Sequence, residues 1–193
     1  GYDLGSIPAG ERRNEGGDDH SFEKVMDRIE AMRMPTLCAL NGGVYGGATD
    51  LALACDFRLG GKGMRFFMPA ARFGLHYYPS GLRRYTQKVS PSFAKRAFLL
   101  SEDFHDKELL AVGYLDWLVE RDEFKAKVDE KAARLATLAP LSMAGMKRAI
   151  EQFAQAAPDE SSIRQSAKVC ASSEDLREGL AANQIQWVAG IIN

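Results

Sequence analysis

A short apolar run, Thr36-Leu37-Cys38-Ala39-Leu40, passes directly into Asn41-Gly42-Gly43-Val44-Tyr45-Gly46-Gly47 and then into a helical stretch through Cys55. A strand, a glycine-rich turn and a helix in so few residues describe a turn built for close backbone approach, because glycine removes the Cβ that would stand in the way. Two phosphate-binding explanations fail on the residues. Gly42 and Gly47 have the spacing of a P-loop, but Ala48-Thr49 follow where the loop needs lysine and then serine or threonine. No three glycines of the turn fall at i, i+2 and i+5, so the dinucleotide fingerprint is absent as well. A third explanation fits. The unpaired N–H groups at a helix start carry partial positive charge, and aimed at a carbonyl oxygen they stabilise an enolate or a tetrahedral oxyanion. A plain tight turn is the alternative.

Around this turn the chain changes character. Residues 5–20 are polar and glycine-rich, as a mobile surface loop would be. Phe22, Val25, Met26 and Ile29 then fall on one helical stripe that ends at Pro35. Short strands are expected at Asp56–Leu59, Phe66–Met68 and Tyr114–Val119, with a helix from Ser90-Pro91 to about Ala111, stopped by Gly113. Beyond Asp122 the pattern is helical, broken at Pro140 and Pro158. Alternating strand and helix followed by helix alone reads as an α/β core with a helical lobe.

Composition narrows the function. With 25 basic and 26 acidic residues the formal net charge is -1, and no lysine or arginine run exceeds two, so a nucleic-acid-binding surface is not written here. No apolar stretch approaches the roughly 18 residues that span a bilayer. Cys38, Cys55 and Cys170 are widely spaced among apolar neighbours, which reads as reduced core thiols of a cytoplasmic protein. Three histidines without ligand spacing leave no metal centre to expect.

The segment from Pro35 to Asp56 resembles the signature of the enoyl-CoA hydratase/isomerase (crotonase) superfamily. Gly1-Tyr2-Asp3-Leu4 is similar to that family's A-G-x-D-[LI] segment with its alanine cut off. Phe73-Gly74-Leu75 through Gly81 is similar to the loop after its second catalytic position, and Ser173-Glu174-Asp175-Leu176-Arg177-Glu178-Gly179 to its C-terminal S-E-D-x-x-E-G. The resemblance implies a ββα-spiral core over residues 1–121, with its N-terminal part missing, and a helical lobe over 122–193 that assembles homotrimers or hexamers. It implies an acyl-CoA thioester as substrate, with no cofactor beyond the coenzyme A that the substrate carries. The oxyanion donors would be the backbone N–H groups of Tyr2 and Gly47, with Asp3, Leu4 and Gly46 against the CoA thioester.

The two positions at which hydratases of the family carry glutamates fall on Asp50 and Ala70. Alanine cannot move a proton, which puts two-carboxylate hydration in doubt. Asp50 lies one helical turn beyond Gly47 and can share its face; it is a candidate general acid/base, or else a first-turn aspartate complementing the helix dipole. In the loop Gly74–Gly81, some isomerases, hydrolases and dehalogenases of the family have an aspartate where Tyr78 stands, and its methylmalonyl-CoA decarboxylase type has a tyrosine matching Tyr77. His76 is a candidate proton donor, against a surface histidine. Tyr77 and Tyr78 could equally be loop packing. Arg83 and Arg84 could bind a substrate carboxylate or CoA phosphate, or be solvated. The resemblance implies hydratase or isomerase chemistry, with decarboxylase and thioester hydrolase as alternatives. A non-catalytic acyl-CoA-binding homologue is the rival that Ala70 supports.

Overall fold

A computed structural model describes the backbone of residues 21–191 and the side chains of residues 22–182. Tyr2, Asp3, Leu4 and the stretch 5–20 lie outside the described residues. The chain divides into two compact units, one containing Thr36–Ala132 together with the first helix, the other Arg33–Pro35 and the residues from Ala133 onward.

In the first unit, helix α1 spans Ser21–Glu30. Its buried residues are Met26 and Glu30, spaced i, i+4, with Phe22 partly buried one turn before them, while Val25 is half exposed. The face is turned from the expected stripe because Glu30 is drawn inward, 7% exposed, to basic partners described below. Strand β1 (Leu37–Leu40) leads into a two-residue strand β2 (Val44–Tyr45) inside the glycine-rich turn, then helix α2 (Gly47–Ala54). Strands β3 (Phe57–Gly61) and β4 (Arg65–Phe67) follow, then a 3-10 turn at Ala70–Phe73 and helix α3 (Pro79–Lys88). Thus the last residues of the expected Gly74–Gly81 loop are the first turn of a helix, started by Pro79.

Ser90 caps helix α4 (Pro91–Leu99), accepting from the Phe93 N–H at 3.1 Å. The helix expected to run on to Ala111 is two helices. Ser101 takes a left-handed φ of 47°, the chain makes strand β5 (Asp103–His105), and helix α5 occupies Asp106–Ala111. Strand β6 is Trp117–Val119, shorter than expected. Two three-stranded sheets result: β1-β3-β6, all parallel, and β2-β4-β5, in which β5 runs antiparallel to β4. The start of the first sheet is pinned by polar groups. Thr36 donates to Asp56 Oδ2 through its N–H at 2.7 Å and its hydroxyl at 2.8 Å, and the buried Arg58 donates from Nε to the Tyr114 carbonyl at 2.6 Å.

Phe66 of β4 is the hub of the core. Fully buried, it meets Tyr85, Phe93, Phe104 and Tyr114 edge-on at centroid distances of 5.0 to 6.3 Å. Such pairs add about 0.5–1.5 kcal/mol each beyond the apolar area they bury.

The second unit is helical. After α6 (Phe124–Ala136), helices α7 (Pro140–Ala154), α8 (Glu160–Ala171) and α9 (Glu174–Ile191) begin where Pro140, Asp159 and Ser173 predispose the chain. Asp159 accepts from Ser162 N–H at 3.0 Å and Ser173 Oγ from Leu176 N–H at 3.2 Å. An apolar cavity of about 600 Å³ lies among α7, α8 and α9, lined by Met146, Ile163, Cys170, Leu176 and Leu180. Met146, Ile150, Phe153 and Leu180 are exposed on these helices. No helix among the described residues is long and apolar enough to cross a membrane.

Candidate active site

The glycine-rich turn is fixed before any ligand arrives. Gly46 caps α2 at φ 53°, a conformation that favours glycine, and its N–H donates to the Phe67 carbonyl of β4 at 3.0 Å. Gly47 is the first residue of α2, where helix geometry supplies no intrahelical acceptor for its N–H. Thr49, fully buried, fastens this turn to the core. Its hydroxyl donates to the Gly46 carbonyl and bonds to the Tyr85 hydroxyl, and its own carbonyl accepts from Tyr114 at 2.9 Å. Burial pushes both phenols well above their ordinary range, so each stays a neutral donor.

The ring of Phe22 lies over Gly47: a Cβ there would come within 2.8 Å of Phe22 Cζ. The same ring meets Tyr78 edge-on at 6.0 Å. Phe22 therefore bridges the start of α2 and the loop before α3.

Asp50, one turn beyond Gly47, is fully buried and faces α3. The Arg84 guanidinium forks onto it, Nε to Oδ1 at 2.9 Å and Nη2 to Oδ2 at 2.7 Å. Arg84 is itself fully buried. Its Nη1 donates to Asp27 Oδ1 at 2.8 Å and Glu30 Oε2 at 3.1 Å, and Nη2 also lies 3.5 Å from Ser80 Oγ. Those contacts engage the five N–H groups a guanidinium possesses. Arg83 donates to Glu30 and to Gln87, and Lys88 Nζ lies 3.5 Å from Glu30. Three cationic side chains thus face Asp50, Asp27 and Glu30. Burial opposes the charge of Glu30, but the hydrogen bond from Arg83 and the charges of Lys88, Arg83 and Arg84 outweigh it and hold its carboxyl below the usual range. The sequence-level suggestion that Arg84 binds a substrate carboxylate or a CoA phosphate is corrected: its donors are committed to the protein.

The Tyr78 phenol donates to Asp50 Oδ2. A carboxylate has about four lone-pair sites, and Nε, Nη2 and this phenol take three of them. Tyr77 stacks on Tyr78 at 4.4 Å, packs against Phe98 at 4.9 Å, and has its hydroxyl oxygen 3.4 Å from that of Tyr78. Gly81 makes room for the pair, since a Cβ there would stand 2.7 Å from Tyr78 Cε2 and closer still to Tyr77. Burial is the first cause raising both phenols above their ordinary range, with the Asp50 charge adding to it, so both stay protonated.

Of the residues singled out from sequence, Gly46, Gly47, Asp50, Tyr77 and Tyr78 come together here. His76 stands apart, exposed, with Nδ1 2.8 Å from the Tyr77 carbonyl oxygen. Ala70 is buried in the 3-10 turn and carries no group that moves a proton. Sequence reasoning missed Asp27, Glu30 and Phe22. The i, i+3 spacing of the two acids on α1 and the Arg83-Arg84 pair on α3 were the available signals.

The family model for enoyl-CoA hydratase/isomerase matches residues 1–187. A crotonyl-CoA hydratase of Syntrophomonas wolfei is 29% identical over 162 residues, 83% of this chain and 62% of that protein. A methylmalonyl-CoA decarboxylase of Escherichia coli is 24% identical over 186 residues, 94% of this chain and 71% of that protein. The crystal structure of an enoyl-CoA hydratase/isomerase family protein from Hyphomonas neptunium superposes with a TM-score of 0.79 at 27% identity, covering 85% of this chain and 63% of that one. The chain therefore spans about 62% of the length of the first of these relatives.

Proposed function

We propose that this chain, which belongs to the enoyl-CoA hydratase/isomerase family, processes an acyl-CoA thioester by stabilising the enolate that forms on its carbonyl oxygen. The observation that carries the reading is the placement of buried Asp50 one turn beyond Gly47, in a first turn locked by Tyr85 and Tyr114. In this reading the Gly47 N–H, paired with that of Tyr2 from outside the described residues, polarises the thioester carbonyl in a site shielded from bulk water. Proton traffic at the α- and β-carbons falls to Asp50 and the tyrosines beside it. Hydratase or isomerase is the activity this supports best, with Asp3, Leu4 and Gly46 against the CoA portion and no cofactor besides the coenzyme A of the substrate. His76 is a weaker proton donor in the scheme, being turned toward its own loop.

The helical lobe from residue 122 onward serves assembly into a homotrimer or hexamer, supported by the apolar side chains exposed on α7, α8 and α9. The free thiols of Cys38, Cys55 and Cys170 support a cytoplasmic location and a place in fatty acid metabolism fits an acyl-CoA substrate.

Decarboxylation is the second reading. Tyr77 and the decarboxylase relative favour it. The engaged donors of Arg84 weigh against it, because a substrate carboxylate would meet Asp50 with no uncommitted guanidinium N–H at that point. The test is solvent deuterium exchange into the α-carbon of butyryl-CoA, run beside hydration of crotonyl-CoA, carbon dioxide release from methylmalonyl-CoA and release of free CoA. Exchange with hydration supports the first reading, carbon dioxide supports the second, and free CoA would make the protein a thioester hydrolase. Binding without any turnover would overturn them all in favour of a non-catalytic acyl-CoA-binding homologue.

A further inference from the structure

We infer that Tyr78 takes over the task left open by Ala70: it holds and deprotonates the water that adds to the β-carbon, passing the proton to Asp50. The inference rests on the acyl-CoA reading above and deepens it.

A phenol has one proton. In Tyr78 that proton goes to Asp50 Oδ2, a charged acceptor and therefore the stronger partner. The Tyr77 oxygen stands 3.4 Å away, at the edge of hydrogen-bond range, and with its single proton on Asp50 the Tyr78 oxygen can meet a further partner only as an acceptor. Seen from the side of the ligand, Tyr78 therefore offers lone pairs, and the group that fits them is an O–H: water, or the hydroxyl of a 3-hydroxyacyl-CoA. Asp50 cannot readily serve in its place, with three of its lone-pair sites already taken.

Position agrees with this role. The Phe22 ring touches both the Gly47 side of α2 and the edge of Tyr78, so the proposed carbonyl donor and the phenol lie within one ring contact of each other. Gly81 and the stacked Tyr77 fix the phenol ring on its other side. Arg84 keeps the carboxylate aimed, which makes it a positioning residue acting through Asp50.

The step balances. The water oxygen bonds to the β-carbon and the C=C electron pair passes into the thioester enolate at the Gly47 N–H. The water proton moves to the Tyr78 oxygen as the phenolic proton moves to Asp50. The proton now on Asp50 passes directly to the α-carbon, the enolate electrons reform the carbonyl, and one water has been added. Neither phenol nor carboxylate is changed at the end.

Two measurements test this. In the protein as it stands, 3-hydroxybutyryl-CoA is expected to bind about five- to tenfold more tightly than butyryl-CoA, the worth of one well-formed hydrogen bond. Equal affinities would overturn the inference even if no variant folds. In Tyr78→Phe, checked for an unchanged melting transition, that preference disappears, and hydration of crotonyl-CoA falls at least tenfold further than α-carbon deuterium exchange into butyryl-CoA. A purely structural tyrosine would lower both rates together and leave the ratio unmoved. If the unaltered protein exchanges but does not hydrate, or if Tyr78→Phe hydrates normally, Tyr78 has no such role while the acyl-CoA reading stands. If the unaltered protein neither binds nor exchanges any acyl-CoA, the reading itself has failed, and the inference with it.

Discussion

Arg84 and Asp50 meet fork to fork with neither side chain reaching solvent, Nε 2.9 Å from Oδ1 and Nη2 2.7 Å from Oδ2. The arginine also holds Asp27 and Glu30 of α1, so one guanidinium ties α1, α2 and α3 together. Removing it leaves a buried carboxylate with no counter-charge, the situation in which a broken ion pair costs most.

Arg84→Met is therefore expected to lower unfolding free energy in urea by about 3–5 kcal/mol. Arg84→Lys should recover little of it, because an ammonium cannot make the two-pronged contact. The double variant Asp50→Leu/Arg84→Met should be more stable than Arg84→Met alone. A double variant whose losses simply add would show that the pair is not coupled.

Glu30 makes stability depend on acid. Its folded carboxyl is held below its usual 4.5. The stability it contributes is thus complete above about pH 4.5 and disappears as pH falls through the lower, folded value. Melting temperature should drop below that pH, and Glu30→Gln should be less stable at pH 7 but show a shallower acid limb. Superimposable acid limbs in the two proteins would refute the assignment.

Gly81→Ala sets two effects against each other. In a helix, alanine gains up to about 1 kcal/mol over glycine. Here the new methyl would lie 2.7 Å from a Tyr78 ring carbon, and a rigid ring cannot step aside as a flexible chain end would. Overpacking of this kind costs about 1–3 kcal/mol. The net prediction is destabilisation with the Tyr77–Tyr78 stack displaced, seen as a changed near-ultraviolet tyrosine dichroism. An increase in melting temperature with that signal intact would count against it.

The two thiols near the start of β3 share one hydrogen bond. Donation from Cys38, helped by Thr36 and Lys88 and opposed by burial, lowers Cys55 to about 7, whereas the same bond and burial raise Cys38. Ultraviolet thiolate absorbance should thus show one group ionising around pH 7, thiol below and thiolate above. In Cys38→Ala that midpoint should climb toward the ordinary value of about 8.5. A midpoint unmoved by the substitution would assign the titration elsewhere.

What could be read from the residues was local. The run from Thr36 through the paired glycines to Cys55 carries its strand, turn and helix in adjacent positions, and the Ser90-Pro91 start and the Gly113 stop lie where the structure has them. Short pieces that exist through distant partners were not legible. Strand β5 is three residues long and owes its existence to β4, thirty-eight positions away at the Arg65–Asp103 contact. Nor could α1 be turned correctly: its buried face follows Glu30, and the reason for burying a carboxylate lies on Arg83 and Arg84, more than fifty residues later. At the site, Asp50 and Tyr77 were visible as candidates, but the hydrogen bond of Tyr78 to Asp50, twenty-eight residues apart, was not.

Thr49 has no place in any reaction, yet its hydroxyl and carbonyl are held by Tyr85 and Tyr114 from two other parts of the core. A ligand oxygen arriving at the Gly47 amide would find a dipole that cannot swing to greet it. The ordering of that group belongs to the folding of the chain and not to association, so weak ligands and strong ones meet the same stationary donor.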